Sequence, residues 1–113
     1  MNNGLYVVRV TGLDAVEWPP NGVVVLRDGM IVGGGSYVYY QGTYASKDGI
    51  LKGELVVNRH TPPPPGHLFY KAVDVGMGIA GTYSGNRAEL TGTALVGKRS
   101  LAVRLTFEKL VDV

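Results

Sequence analysis

The chain has 113 residues, 45% apolar and 18% charged, a balance that supports one globular domain over residues 1–113 and excludes a disordered chain. It holds no cysteine, which removes disulfide frameworks, thiolate metal sites and cysteine nucleophiles; its formal charge is +2, and the Lys and Arg residues are scattered, without the basic stripe of a nucleic-acid binder. Its 17 glycines and 7 tyrosines argue against helices and for pleated strands.

The opening MNNGLYVVRV has no basic leader followed by a long apolar run, and no segment approaches the ~20 apolar residues needed to span a bilayer, so a cytoplasmic, membrane-free protein is expected. Tyr6, Val8 and Val10 alternate with Arg9 and Thr11, the period of a half-buried strand. LDAVEWPPN then reads as a loop, because Pro19 and Pro20 cannot join a regular ladder. GVVVLRDGMIVGG is a hairpin: a strand from Val23 to Arg27, an Asp28-Gly29 turn, and a return from Met30 to Val32 that Gly33 to Gly35 should break or bulge. On this reading Val23, Val25, Ile31 and Tyr39 face outward and form an apolar association surface.

A longer hairpin follows from Ser36 to His60, turning at Lys47-Asp48-Gly49, with Leu51, Gly53, Leu55 and Val57 on one face of the return strand. TPPPPGH is an extended connector. The stretch Leu68 to Val75 fits a strand or a short helical turn. After it Ile79, Gly81 and Tyr83 alternate up to a Ser84-Gly85-Asn86 turn, then Ala88, Leu90, Gly92 and Ala94, and finally Leu101, Val103, Leu105 and Phe107. Seven or eight short strands joined by tight turns indicate an all-β sandwich or barrel, and the succession of hairpins favours a small antiparallel up-and-down barrel of about eight strands.

The segment YYQGTYASKDGILKGEL returns as IAGTYSGNRAELTGTAL, with Gly42, Thr43, Tyr44, Leu51 and Gly53 recurring as Gly81, Thr82, Tyr83, Leu90 and Gly92. Glycines on an inner face let strands bend or leave room for a neighbouring ring, so the repeat reads as structural before it reads as a duplicated ligand site. The interior is apolar with tyrosine hydroxyls and no clear inward charge. It is therefore either packed solid or a dry pocket for a small hydrophobic ligand, lined by Tyr6, Tyr40, Tyr44, Leu55, Tyr83 and Phe107.

Catalysis finds no support, since no nucleophile, base and orienting group occur together. His60 and His67, with Glu54 or Asp74, match no compact metal-ligand spacing, and no cofactor is expected. GMIVGGGS and VGMGIAG lack the following helix with Lys and Ser/Thr that a phosphate loop needs. Trp18 is either a plug over one barrel end or an exposed anchor; with Ser46, Lys47 and Asp48 it forms the candidate partner-binding set.

Taken together, NGLYVVRV, GVVVLRDGMIVGGGSYVYYQGTY, DGILKGELVV and GTYSG…LTGTA resemble the GrlR-like family of bacterial regulators, from Asn3 to about Leu110. The most specific stretch runs from Gly22-Val23-Val24-Val25-Leu26 through Gly33-Gly34 to Tyr40-Gln41-Gly42. The resemblance implies a lipocalin-like barrel that forms a homodimer in the cytoplasm, has no catalytic activity, and restrains type III secretion by sequestering a transcriptional activator through protein contact, with no nucleic acid bound directly. The founding regulator carries an acidic run on an exposed loop where this chain reads Ala45-Ser46-Lys47-Asp48-Gly49; only Asp48 keeps the negative charge and Lys47 opposes it, which weakens a charge-based grip on a basic partner.

Overall fold

Alternating apolar residues bury one face of a sheet, and a sheet whose last strand meets its first has no free edge to protect. The computed structural model describes residues 1–12, 22–63, 65, 74–96 and 98–113 and shows this solution. Eight strands follow in chain order: β1 (Gly4–Gly12), β2 (Gly22–Arg27), β3 (Met30–Gly34), β4 (Val38–Lys47), β5 (Ile50–Arg59), β6 (Val75–Ser84), β7 (Arg87–Val96) and β8 (Arg99–Val111). Each pairs antiparallel with the next, and β8 pairs with β1 to close the barrel. The pairing of β1 with β8 shifts between Leu5 and Tyr6, leaving Leu110 as an extra residue at the barrel rim, where bulges commonly occur. Among the described residues no helix is long and apolar enough to cross a membrane.

Turn chemistry sets the two ends apart. At one end lie the two-residue turns Asp28-Gly29 and Asp48-Gly49, each with positive φ at both positions (51° and 84°, 53° and 80°), as the hairpin-compatible type I′ turn requires. The third turn there, Gly85-Asn86, carries its positive φ at Gly85. At the opposite end, the mouth, β3 passes to β4 through Gly35, Ser36 and Tyr37. Trp18 and the segments 13–21 and 66–73, including His67 and most of Leu68–Val75, lie outside the described residues.

The inward set is the one alternation predicts. Tyr6, Val24, Leu26, Ile31, Leu51, Leu90, Leu101 and Val103 are fully buried, and among the described residues no polar or charged residue is. Three expectations are corrected. Ile31 is not an outward residue: the two-residue turn pairs it with Leu26, so both point into the core, and the outward apolar residues of β3 are Met30 and Val32. The Gly33 to Gly35 run does end the strand, at Gly34, but it does not bulge it: Gly33 and Gly34 stay in regular register with Val24 and Val23 on one side and with Tyr40 and Tyr39 on the other. The turn after β4 is Asp48-Gly49 alone, so Ser46 and Lys47 are strand residues.

The repeated hairpin has a structural explanation. A β-carbon placed on Gly42 would lie 1.8 Å from the Glu54 carbonyl oxygen, and one on Gly81 would lie 2.1 Å from that of Glu89; both glycines allow the facing backbone to approach where the sheet coils tightly. Each following tyrosine then ties two hairpins together. The Tyr44 amide donates to the Gly29 carbonyl and the Tyr83 amide to the Gly49 carbonyl, both at 2.9 Å. Gly53 and Gly92 flank Ile79 in the register; an added β-carbon would meet Tyr44 at 3.2 Å and Ile79 at 3.3 Å at Gly53, but Met77, Val103 and Ile79 at Gly92, where no aromatic residue is nearest.

Candidate functional site

The inner faces of the described strands leave an apolar cavity toward the mouth. It has a volume of about 70 Å³. Its walls include Val24, Ile31, Val38, Leu55, Val57, Met77, Leu105 and Phe107, and Tyr40 brings the hydroxyl. Tyr40 sits there because Gly22 and Gly33 leave room for its ring: a β-carbon on Gly22 would lie 2.9 Å from the phenol oxygen and one on Gly33 3.0 Å from the ring. The phenol donates to the Val23 carbonyl at 3.2 Å, and burial pushes its pKa up to about 12 because the phenolate would lose its hydration.

Of the six interior residues named from the sequence, Tyr40, Leu55 and Phe107 line this cavity. Tyr6, Tyr44 and Tyr83 are gathered instead toward the hairpin end. The Tyr6 phenol donates to the Asn2 carbonyl at 2.6 Å, and its pKa is raised by burial, a shift the nearby Lys109 ammonium opposes. Burial likewise raises Tyr44, partly offset by a backbone hydrogen bond from Gly29. Tyr83, paired with Ala88, packs against the core.

Among the described residues no charged side chain is buried, but two have inward parity at the two ends of the barrel. Lys109 pairs with Tyr6 across the sheet and therefore shares its inward face, and its ammonium reaches Asp112, whose hydrogen bond holds the lysine above its ordinary pKa. Arg59 is the counterpart at the mouth. It pairs with Val38 in the β4–β5 ladder and continues the inward series Leu51, Gly53, Leu55, Val57 by one step. Extending that alternation to the end of the strand would have found it.

The partner-binding set separates as well. Ser46 pairs with Leu51, so it faces the barrel interior at the hairpin end, where it accepts a hydrogen bond from the Met1 α-ammonium. Lys47 and Asp48 are exposed, and Trp18 is among the residues not described. On the outer wall Val23, Met30, Val32, Tyr39 and Val56 are all more than two-fifths exposed and cover neighbouring strands β2 to β5. His60 contacts Thr61 Oγ1 at 2.7 Å and the Gly35 carbonyl at 2.9 Å through its two ring nitrogens. Among the described residues no three His, Asp or Glu side chains converge on a metal position.

No curated protein matches the chain. A family model described as the type III secretion system negative regulator GrlR matches residues 1–111 of the 113. The match spans all eight strands of the barrel, and the chain belongs to the GrlR family of type III secretion negative regulators.

Proposed function

We propose that the protein is a non-enzymatic regulator that acts by protein contact in the cytoplasm, restraining type III secretion by sequestering a transcriptional activator, without itself binding nucleic acid. The match to a family of negative regulators over residues 1–111 carries this reading. A closed barrel offers no strand edge for β-addition, so a partner must be gripped by side chains on the outer wall and turns. The exposed Lys47-Asp48 corner is one contact, and the apolar outer wall of Val23, Met30, Val32, Tyr39 and Val56 suits a two-fold homodimer.

The test combines a cell and a tube. Deleting the gene should raise transcription from a type III secretion promoter, and the purified protein should remove the activator from promoter DNA in a gel shift while leaving the DNA alone unshifted. Because Lys47 opposes Asp48, Lys47→Asp should tighten the complex with a basic activator and steepen its salt dependence. No partner at physiological salt, or a direct DNA shift, would count against the proposal.

A further inference from the structure

We propose that the apolar cavity toward the mouth is a binding site for a short primary alcohol of about three to four carbons, its alkyl chain among the aliphatic walls and its hydroxyl donating to the phenol oxygen of Tyr40. Two features meet here. Among the described residues no charged side chain lines the cavity, so an ionised guest would surrender its hydration without compensation. The one side-chain oxygen or nitrogen on those walls is the Tyr40 phenol, and its proton is already given to the Val23 carbonyl at 3.2 Å. What the phenol oxygen still offers is lone pairs. An acceptor in an apolar chamber selects a neutral guest that brings its own donor, and an aliphatic alcohol is such a guest.

The register sets that oxygen on the inside. Gly22 has the inward parity of Val24, and a β-carbon on it would lie 2.9 Å from the Tyr40 oxygen, so the missing side chain leaves the oxygen its place within the barrel. Burial pushes the Tyr40 pKa up to about 12, which keeps the phenol neutral at physiological pH. The cavity extends inward from there: Gly33 faces Tyr40, while Ile31, another wall residue, faces Gly42 two ladder steps farther from the mouth. About 70 Å³ holds roughly two to three methylene-sized groups at about 30 Å³ each, which with the carbinol carbon beside Tyr40 gives about three to four carbons. The rim is held in place, since His60 Nε2 lies 2.9 Å from the carbonyl of Gly35, a cavity residue, and the His60 amide donates to the Tyr37 carbonyl at 2.9 Å. The site stands at the opposite end from the Lys47-Asp48 corner and does not depend on the regulatory reading.

The test is an NMR titration of the whole chain with 1-butanol, its isomer methyl propyl ether, sodium butanoate and 1-octanol, read at the methyls of Ile31, Leu55, Val57 and Met77. 1-Butanol should give saturable shifts and bind about 3- to 10-fold more tightly than the ether, the range of one neutral hydrogen bond, and butanoate should bind at least about tenfold more weakly than the alcohol. Tyr40→Phe keeps the ring and should bring alcohol and ether level. Val57→Leu, which takes up about one methylene of the space, should weaken 1-butanol several-fold, with a thermal melt confirming the fold of both variants. Absence of saturable shifts, equal binding of alcohol and ether, an alcohol preference that survives Tyr40→Phe, or 1-octanol or butanoate matching 1-butanol at these methyls would each overturn the proposal.

Discussion

Gly42→Ala tests the coiling of the barrel directly. The added methyl would meet backbone atoms only: the Glu54 carbonyl oxygen at 1.8 Å, its carbon at 2.8 Å and the Leu55 Cα at 2.9 Å. An ordinary carbon–oxygen contact is about 3.3 Å or more, so the facing strand must retreat by roughly 1.5 Å. That displacement stretches ladder hydrogen bonds out of range, at about 1 kcal/mol each, on top of about 1–3 kcal/mol for overpacking. With two such bonds lost the sum is about 3–5 kcal/mol, or roughly 12–25 °C in Tm at about 4–5 °C per kcal/mol for a domain of this size. Gly78→Ala is the matched control on the outer wall. Nothing lies within 4 Å of its added methyl, so the substitution should be neutral or stabilise by up to about 1 kcal/mol through the unfolded chain. Urea melts followed by far-UV circular dichroism would measure both, and Gly81→Ala should copy Gly42→Ala. If Gly42→Ala melted within 1 kcal/mol of the parent protein, the close approach of β4 to β5, and with it the structural reading of the repeat, would be wrong.

Leu90, 1% exposed, should cost about 2–5 kcal/mol as Leu90→Ala, measured by the same melts. Glu108→Gln breaks ion pairs to Arg9 at 3.0 Å and Arg87 at 3.6 Å, but all three side chains are about half exposed, so the loss should stay below about 1 kcal/mol and shrink further in high salt. Tyr40 predicts a pH dependence. Its folded pKa of about 12 lies above the unfolded value near 10, so the native state holds its proton longer; stability is level below pH 10 and falls by up to about 2–3 kcal/mol as pH rises toward 12. Tyr6 and Tyr44, raised by the same cause, add to that decline, and Tyr40→Phe should flatten its slope in urea melts at pH 9 and 11.5.

The strands and hairpin turns were legible because their signals are local. Asp-Gly between alternating apolar runs specifies a two-residue turn, and such a turn fixes register: with Arg27 facing Met30, Leu26 must face Ile31. That step also shows why Ile31 was misread. Met30-Ile31-Val32 is apolar throughout, so its own pattern has no direction, and only its partner across the turn supplies one. The tyrosines divided for a different reason. Tyr6, Tyr40, Tyr44 and Tyr83 all have inward parity, but which end of the barrel each occupies depends on how far neighbouring strands are offset, a property of the whole sheet. The glycines resisted reading because an inward glycine serves close backbone approach at Gly42 and side-chain room at Gly92, and sequence shows only the missing carbon.

The two ends answer to different physics, and the distance between them keeps their tasks separate. β5 runs from the Asp48-Gly49 turn to Arg59 over ten residues, about 33 Å at the usual rise per residue, several times the Debye length of about 8 Å at physiological salt. A charge at the mouth end of β5 therefore cannot be felt at Lys47 and Asp48. Coupling through the sheet would require a ladder to slip, and a closed barrel with every strand paired on both sides resists slippage because one residue of shift would turn the whole buried face of a strand outward. Any molecule bound in the cavity would stabilise the folded barrel by mass action, by about 2.7 kcal/mol at a hundredfold excess over its Kd. Its influence on a partner at the other end should then follow the amount of folded protein and leave the affinity of each folded molecule unchanged.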